Sequence, residues 1–152
     1  MRRVERDTRN TAHLLAANAA RTFDGIAETL SAVGRLRNDA ARGIYRSRDS
    51  VFVHLKTLHR GSQVMDEIGW LDAYGVLVAS SSQVEPPRVA FPEAEFFAVH
   101  RDGRAMTDIH VSAPILTDEY VWRIPVSKRI ENLDGSFAGI AVGFIDQIGR
   151  AH

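Results

Sequence analysis

Apolar residues recur at helical spacing through the first part of the chain and at strand spacing afterwards. Leu15, Ala19, Phe23, Ile26, Leu30 and Val33 form one stripe and predict a long helix over residues 7–36. A neighbouring stripe is small, with Ala16, Ala20, Ala27 and Gly34. The apolar stripe is assigned to the domain's own sheet rather than to a pure coiled coil, which leaves the small stripe to face a second copy of the chain. A second helix is capped by Asp49 or Ser50, turns Val51, Phe52, Leu55 and Leu58 inward, and ends at Gly61-Ser62.

Strands follow. The first is expected over residues 64–73, and the second over 76–80 after a turn at Tyr74-Gly75. Residues 81–92 form a loop, because Pro86-Pro87 cannot sit in a central strand. Residues 93–100 read as a short helix with Phe96, Phe97 and Val99, and Asp102-Gly103 as a turn. A third strand is expected over 108–116. Two apolar-rich runs then flank Asn132-Leu133-Asp134-Gly135 and predict a long hairpin, since glycine reaches positive φ without a Cβ clash. Trp122, Ile124, Val126 and Ile130 carry its first strand; Phe137, Ile140, Val142, Phe144 and Ile145 carry its second. The fold class is α+β: an antiparallel sheet flanked by a long N-terminal helix and shorter helices.

Composition narrows the function. The 152 residues suffice for one domain with a real core, and 19 basic residues balance 19 acidic ones, which argues against a nucleic-acid partner. There is no cysteine, so disulfides, thiolate metal sites and thiol nucleophiles are excluded; this fits a periplasmic domain and many cytosolic ones alike. No apolar run is long enough to span a bilayer, and no apolar stretch follows Met1-Arg2-Arg3 as in a secretory signal. The six histidines are scattered, and no metal-binding pair, phosphate loop or nucleophile elbow is present. No catalytic residue, cofactor or metal is therefore expected. His54 and His59 read as solvated helix-surface residues, Ser80-Ser81-Ser82 as a loop start with local hydrogen bonds, Trp70 and Trp122 as core aromatics, and Asp72 and Asp134 as turn residues.

The segments GWLDAYGVLVASS, EAEFFAVHRDG, DIHVSAPI and YVWRIPVSKRIENLDGSFAGIAVGFID, in that order and spacing, resemble the bacterial extracytoplasmic sensor domains called Cache or PDC domains. The resemblance covers roughly residues 8–146. It implies a PAS-like five-stranded antiparallel sheet behind a long helix, with a helical region at 1–62 and a sensor sheet at 63–152 forming one module. It further implies the periplasmic part of an inner-membrane sensor histidine kinase, diguanylate cyclase or chemoreceptor. Such a protein is held by flanking membrane helices absent from this chain and paired as a homodimer through the first helix. A single module, or the membrane-distal half of a double one, is expected, non-enzymatic in itself.

Ligands of that family bind on one sheet face, under the connection between the second and third strands, here residues 80–100. Along the strand at 121–130 the side chains alternate, placing Arg123, Pro125, Ser127 and Arg129 on the face away from Trp122, Ile124, Val126 and Ile130, with Lys128 the exception among the latter. Arginine can grip a carboxylate through paired N–H bonds. Arg123, Ser127 and Arg129, with His110 and Ser112 on the adjoining strand and Phe97 and His100 on the cover, are thus candidate ligands for a small anionic metabolite. The plainer reading is a solvated sheet face, and the alternative function is a ligand-free PAS-like module for protein interaction or dimerisation. The aromatic and acidic motif of amino-acid-binding members of the family has no match here.

Overall fold

A computed structural model describes residues 2–62, 64–117 and 120–146, with side chains described for 20–62, 64–117 and 120–145. The element order is α1 (Arg2–Ala41), α2 (Arg48–Arg60), β1 (Met65–Asp72), β2 (Leu77–Ser80), α3 (Glu95–Arg101), β3 (Ile109–Val111), β4 (Ile115–Leu116), β5 (Trp122–Glu131) and β6 (Phe137–Asp146). Every strand pair is antiparallel. The sheet order is β2-β1-β6-β5-β3, with β4 also paired to β5. This is the expected α+β arrangement with one extra strand. The stretch expected as a single strand over 108–116 breaks between Val111 and Ile115, where Pro114 has no N–H for the ladder.

α1 runs to Ala41, past the expected end, since nothing between Leu36 and Gly43 breaks it; Gly43 then takes φ 80°. α2 is capped by Ser47, not by Asp49 or Ser50. Ser47 has extended backbone, and its hydroxyl accepts the Ser50 N–H at 3.1 Å. Asp49 sits instead in the first turn, where a carboxylate suits the positive helix end.

Helices α1 and α2 cover one sheet face. Ile26, Leu30, Val33 and Leu36 of α1 and Leu55 of α2 pack on Ile68, Trp70, Val126, Ile130 and Ala141. Two expectations for α1 are corrected. Phe23 is 47% exposed rather than packed on the sheet. The small stripe does not face outward throughout: a Cβ added to Gly34 would lie 3.7 Å from Ile130 Cγ1, so this glycine faces β5. Ala20 is exposed, whereas the side chains of Leu15, Ala16 and Ala19 lie outside the described residues. Trp122 is also corrected. It shares a face with Val126 and Ile130 but is 51% exposed, because it opens β5 opposite the exposed Leu116, away from the clustered α1 and α2 side chains. Lys128, on that same face, reaches Asp108 at 2.6 Å.

α3 covers the opposite face. Phe96 and Phe97 pack on Leu71, Ile140 and Val142, with Phe137 and Phe144 beside them. The β5–β6 turn forms as expected, with Gly135 at φ 86° and Asp134 Oδ1 accepting the Ser136 N–H at 2.9 Å. Gly139 on β6 takes φ 136°, and a Cβ there would run into the Leu71 carbonyl of β1. Only glycine lets the two central strands approach at that point.

Candidate functional site

The hairpin strand β5 turns Arg123, Ser127 and Arg129 to the face that α3 covers. His110 pairs with Ser127 across the β3–β5 ladder, so their side chains share that face. α3 delivers His100 from above, where its Nε2 hydrogen-bonds Ser127 Oγ at 3.0 Å. His110 Nε2 lies 2.8 Å from Glu95 Oε2, and the two imidazoles meet edge to face at 6.1 Å. The other Glu95 oxygen accepts the Ala113 N–H at 3.4 Å, tying the start of α3 to the broken edge of the sheet.

Ser112 lies at that break. Its N–H donates to the Pro125 carbonyl at 2.9 Å, and the residue is only 5% exposed. Its Oγ is buried and has no hydrogen-bond partner, a condition found for no other buried side-chain atom among the described residues. An unsatisfied buried hydroxyl costs about 1–3 kcal/mol. A ligand group that bonds it therefore recovers a real deficit.

The two arginines do different work from a free anion clamp. Arg123 Nη1 donates to Glu67 Oε1 at 3.1 Å, and Nη2 lies 3.5 Å from Asp66 Oδ2; its guanidinium also rests 5.3 Å from the Phe144 ring centre. Arg129 Nη1 donates to the His100 carbonyl at 3.2 Å and stacks 4.9 Å from the Phe137 ring centre. Phe97 is 1% exposed and belongs to the apolar cluster under α3. The structure thus brings His100, His110 and Ser127 together, with Ser112 two positions beyond His110 and opposite Pro125. It places Arg123 with the β1 carboxylates, Arg129 at the end of α3, and Phe97 in the core.

Burial pushes the His100 imidazole down to about 4, and electrostatic repulsion from the His110, Arg129 and Lys128 side acts the same way; the Ser127 hydrogen bond opposes them. His100 is therefore neutral at ordinary pH. Burial by itself would raise the Glu67 carboxyl, but hydrogen bonds from Ser80, Arg123 and Ser82, with the Arg123 charge, outweigh it and hold Glu67 below the usual range. Sequence reading missed Glu67 and Glu95. Glu67 left a faint signal, a carboxylate alternating with the core residues Ile68 and Trp70 along β1; Glu95 looked like any solvated first-turn acid. The serine run does make local bonds, Ser82 N–H to Ser80 Oγ at 3.1 Å, and also holds Glu67. His54 is exposed but bonds the Ser50 carbonyl at 2.8 Å, and His59 bonds the Met65 carbonyl at 2.9 Å, so both are more than solvated residues.

Arg123→Ala is expected to lower stability by about 1–3 kcal/mol, because it removes a partly buried cation that both Glu67 and Asp66 contact. Urea unfolding reads this directly. Adding Glu67→Gln should recover part of the loss, and strict additivity of the two changes would contradict the pairing.

A sheet with a long helix pair on one face and a short helix closing the other is the fold of the Cache and PDC extracytoplasmic sensor domains, with their PAS-like sheet. The crystal structure of the extracellular domain of rpHK1S-Z16, a protein assigned as a histidine kinase, matches at a TM-score of 0.77 and 28% identity, over 90% of this chain and 55% of that one. An extracellular ligand-binding receptor from Desulfohalobium retbaense matches at 0.66 and 18%, over 86% of this chain and 23% of the receptor. The sensor domain of the V. cholerae histidine kinase DctB matches at 0.59 and 12%, over 92% and 55%. The chain thus spans about half the length of rpHK1S-Z16 and DctB chains it matches. No family model and no curated protein matches the sequence. The likeness to the extracellular domain of rpHK1S-Z16, at 28% identity, supports a sensing input domain, and the two more distant neighbours support the fold. No helix among the described residues is long and apolar enough to cross a membrane.

Proposed function

We propose that the chain is the extracytoplasmic input domain of an inner-membrane signal-transduction receptor, a sensor histidine kinase or diguanylate cyclase, acting as a homodimer paired along α1. The observation that carries this reading is the likeness to an extracellular sensor domain over nine-tenths of the chain at 28% identity. The candidate ligand site is the sheet face under α3, centred on the Ser112 hydroxyl, with Ser127, His100 and His110 around it. Because Arg123 is already matched by Glu67 and Asp66, a small polar metabolite with both donors and acceptors suits this face better than a bare anion. Arg129 and Phe97 act as supports for α3 in this reading. Ligand entry would require α3 to lift, and the free energy available for signalling is the ligand's differential affinity for the two α3 positions.

A thermal-shift screen against amino acids, organic acids and other small metabolites tests it. A ligand bound only by the native state adds about 2.7 kcal/mol at a hundredfold excess over its Kd. A dose-dependent rise in Tm with one chemical class is expected, abolished by Ser112→Val. A flat screen would favour the ligand-free interaction module instead, for which the half-exposed Trp122 and Leu116 offer an apolar surface.

A further inference from the structure

On the opposite side of the sheet, away from α3, a cavity of about 250 Å³ opens between the α1–α2 connection, α2 and the β1–β2 edge. Its walls are aromatic: Trp70 from β1, Phe52 from α2 and Tyr45 from the connection. Trp70 is 5% exposed and anchored in the core, and Tyr45 is held edge-on by His54 with ring centres 4.5 Å apart. Both walls are therefore preformed. Val84, from the loop after β2, also lines it.

The charge at this cavity is one-sided. Arg46 and Arg48 line it, both exposed, and neither makes a side-chain hydrogen bond or ion pair among the described residues. Among the described residues, no carboxylate lines it. A third cation is close: Lys56 Nζ lies 5.7 Å from the Phe52 ring centre. An apolar, aromatic-walled recess with unmatched guanidinium groups selects a molecule with a flat apolar body and one carboxylate. The volume lies below the roughly 300–1,000 Å³ of drug-sized sites, which limits the occupant to a single ring or a short chain.

We infer that this recess is a second binding site, for a small aromatic carboxylate, with the ring between Trp70, Phe52 and Tyr45 and the carboxylate on Arg46 and Arg48. It is independent of the face under α3. Because α2 and the β1–β2 edge form its walls, occupancy stiffens the contact between the helical layer and the sheet.

The chain has two tryptophans, so Trp122→Phe, at a half-exposed position, leaves Trp70 as the only indole reporter. Phenylacetate titrated into this variant should give a saturable change in Trp70 emission. Adding Arg46→Gln and Arg48→Gln should weaken the apparent affinity by at least about tenfold, as loss of charge-assisted hydrogen bonds does. The neutral isostere 2-phenylethanol should bind correspondingly more weakly, and Ser112→Val should change nothing. A linear, unsaturable response, or equal affinity in the arginine variants, would overturn the site. Loss of the response in Ser112→Val would place phenylacetate under α3 and overturn it equally. A flat metabolite screen at Ser112 leaves this titration unaffected, so the two readings fail separately.

Discussion

Phe97→Ala is expected to cost about 3–5 kcal/mol, the largest effect of any single truncation on the α3 side of the sheet. Phe97 is 1% exposed and fills the space between α3 and Leu71 and Ile140, with the Phe137 ring centre 5.7 Å away and the Arg101 guanidinium also 5.7 Å from its ring centre. Seven residues of helix cannot hold themselves together in water, so α3 depends on Phe96 and Phe97 for its position. Removing the ring should lower the urea midpoint sharply and speed hydrogen exchange throughout α3. Phe97→Leu should recover most of the stability. A change below about 1 kcal/mol in Phe97→Ala would mean that the ring is not structural and is free to contact a ligand.

Acidification is expected to produce the second large effect. The unfolded chain protonates His100 near 6.5, whereas the folded chain does so only at about 4, because burial and the neighbouring His110, Arg129 and Lys128 oppose a charged ring. Between those values the unfolded state binds more protons, so stability is full above 6.5 and falls as the pH drops toward 4. The contribution is about 3 kcal/mol at most. Glu95 faces the same cluster through His110, whose Nε2 lies 2.8 Å from Glu95 Oε2. His100→Gln keeps a group able to bond Ser127 but cannot titrate. Its urea midpoint should move less than that of the wild type across the same range, and equal movement in both proteins would sink the assignment to His100. Acid should also loosen α3, since a charged His100 cannot remain under it at no cost.

Local chemistry made much of the fold legible. Asp134-Gly135 between two apolar-rich runs specifies the long hairpin, because glycine alone reaches φ 86° freely and Asp134 can accept the Ser136 N–H beside it. Ile26, Leu30 and Val33, at helical spacing, turn to the sheet for the same reason in any sequence context: burial of apolar area along one stripe. Alternation along β5 likewise sorted Val126 and Ile130 from Ser127 and Arg129. These rules act over a few residues, so the amino-acid order contains them whole.

The candidate site was only half legible, because its deciding contacts join residues far apart in the chain. His100 meets Ser127 across 27 positions and Arg123 meets Glu67 across 56. Whether Arg123 is a free cation or a matched one depends on the β5–β6–β1 register, and a one-residue slip would carry it to the other face. The exposure of Trp122 depends on how far α1 and α2 extend over the sheet, and the orphaned hydroxyl of Ser112 on where Pro114 breaks the edge strand. Periodicity and turn chemistry by themselves determined the elements, their order and the sheet face of most residues. Only the packing of α3 on one face and α2 on the other decided which polar groups are satisfied, which are left in need of a partner, and where space remains for a ligand, since burial and pairing are properties of the assembled layers and not of any one segment.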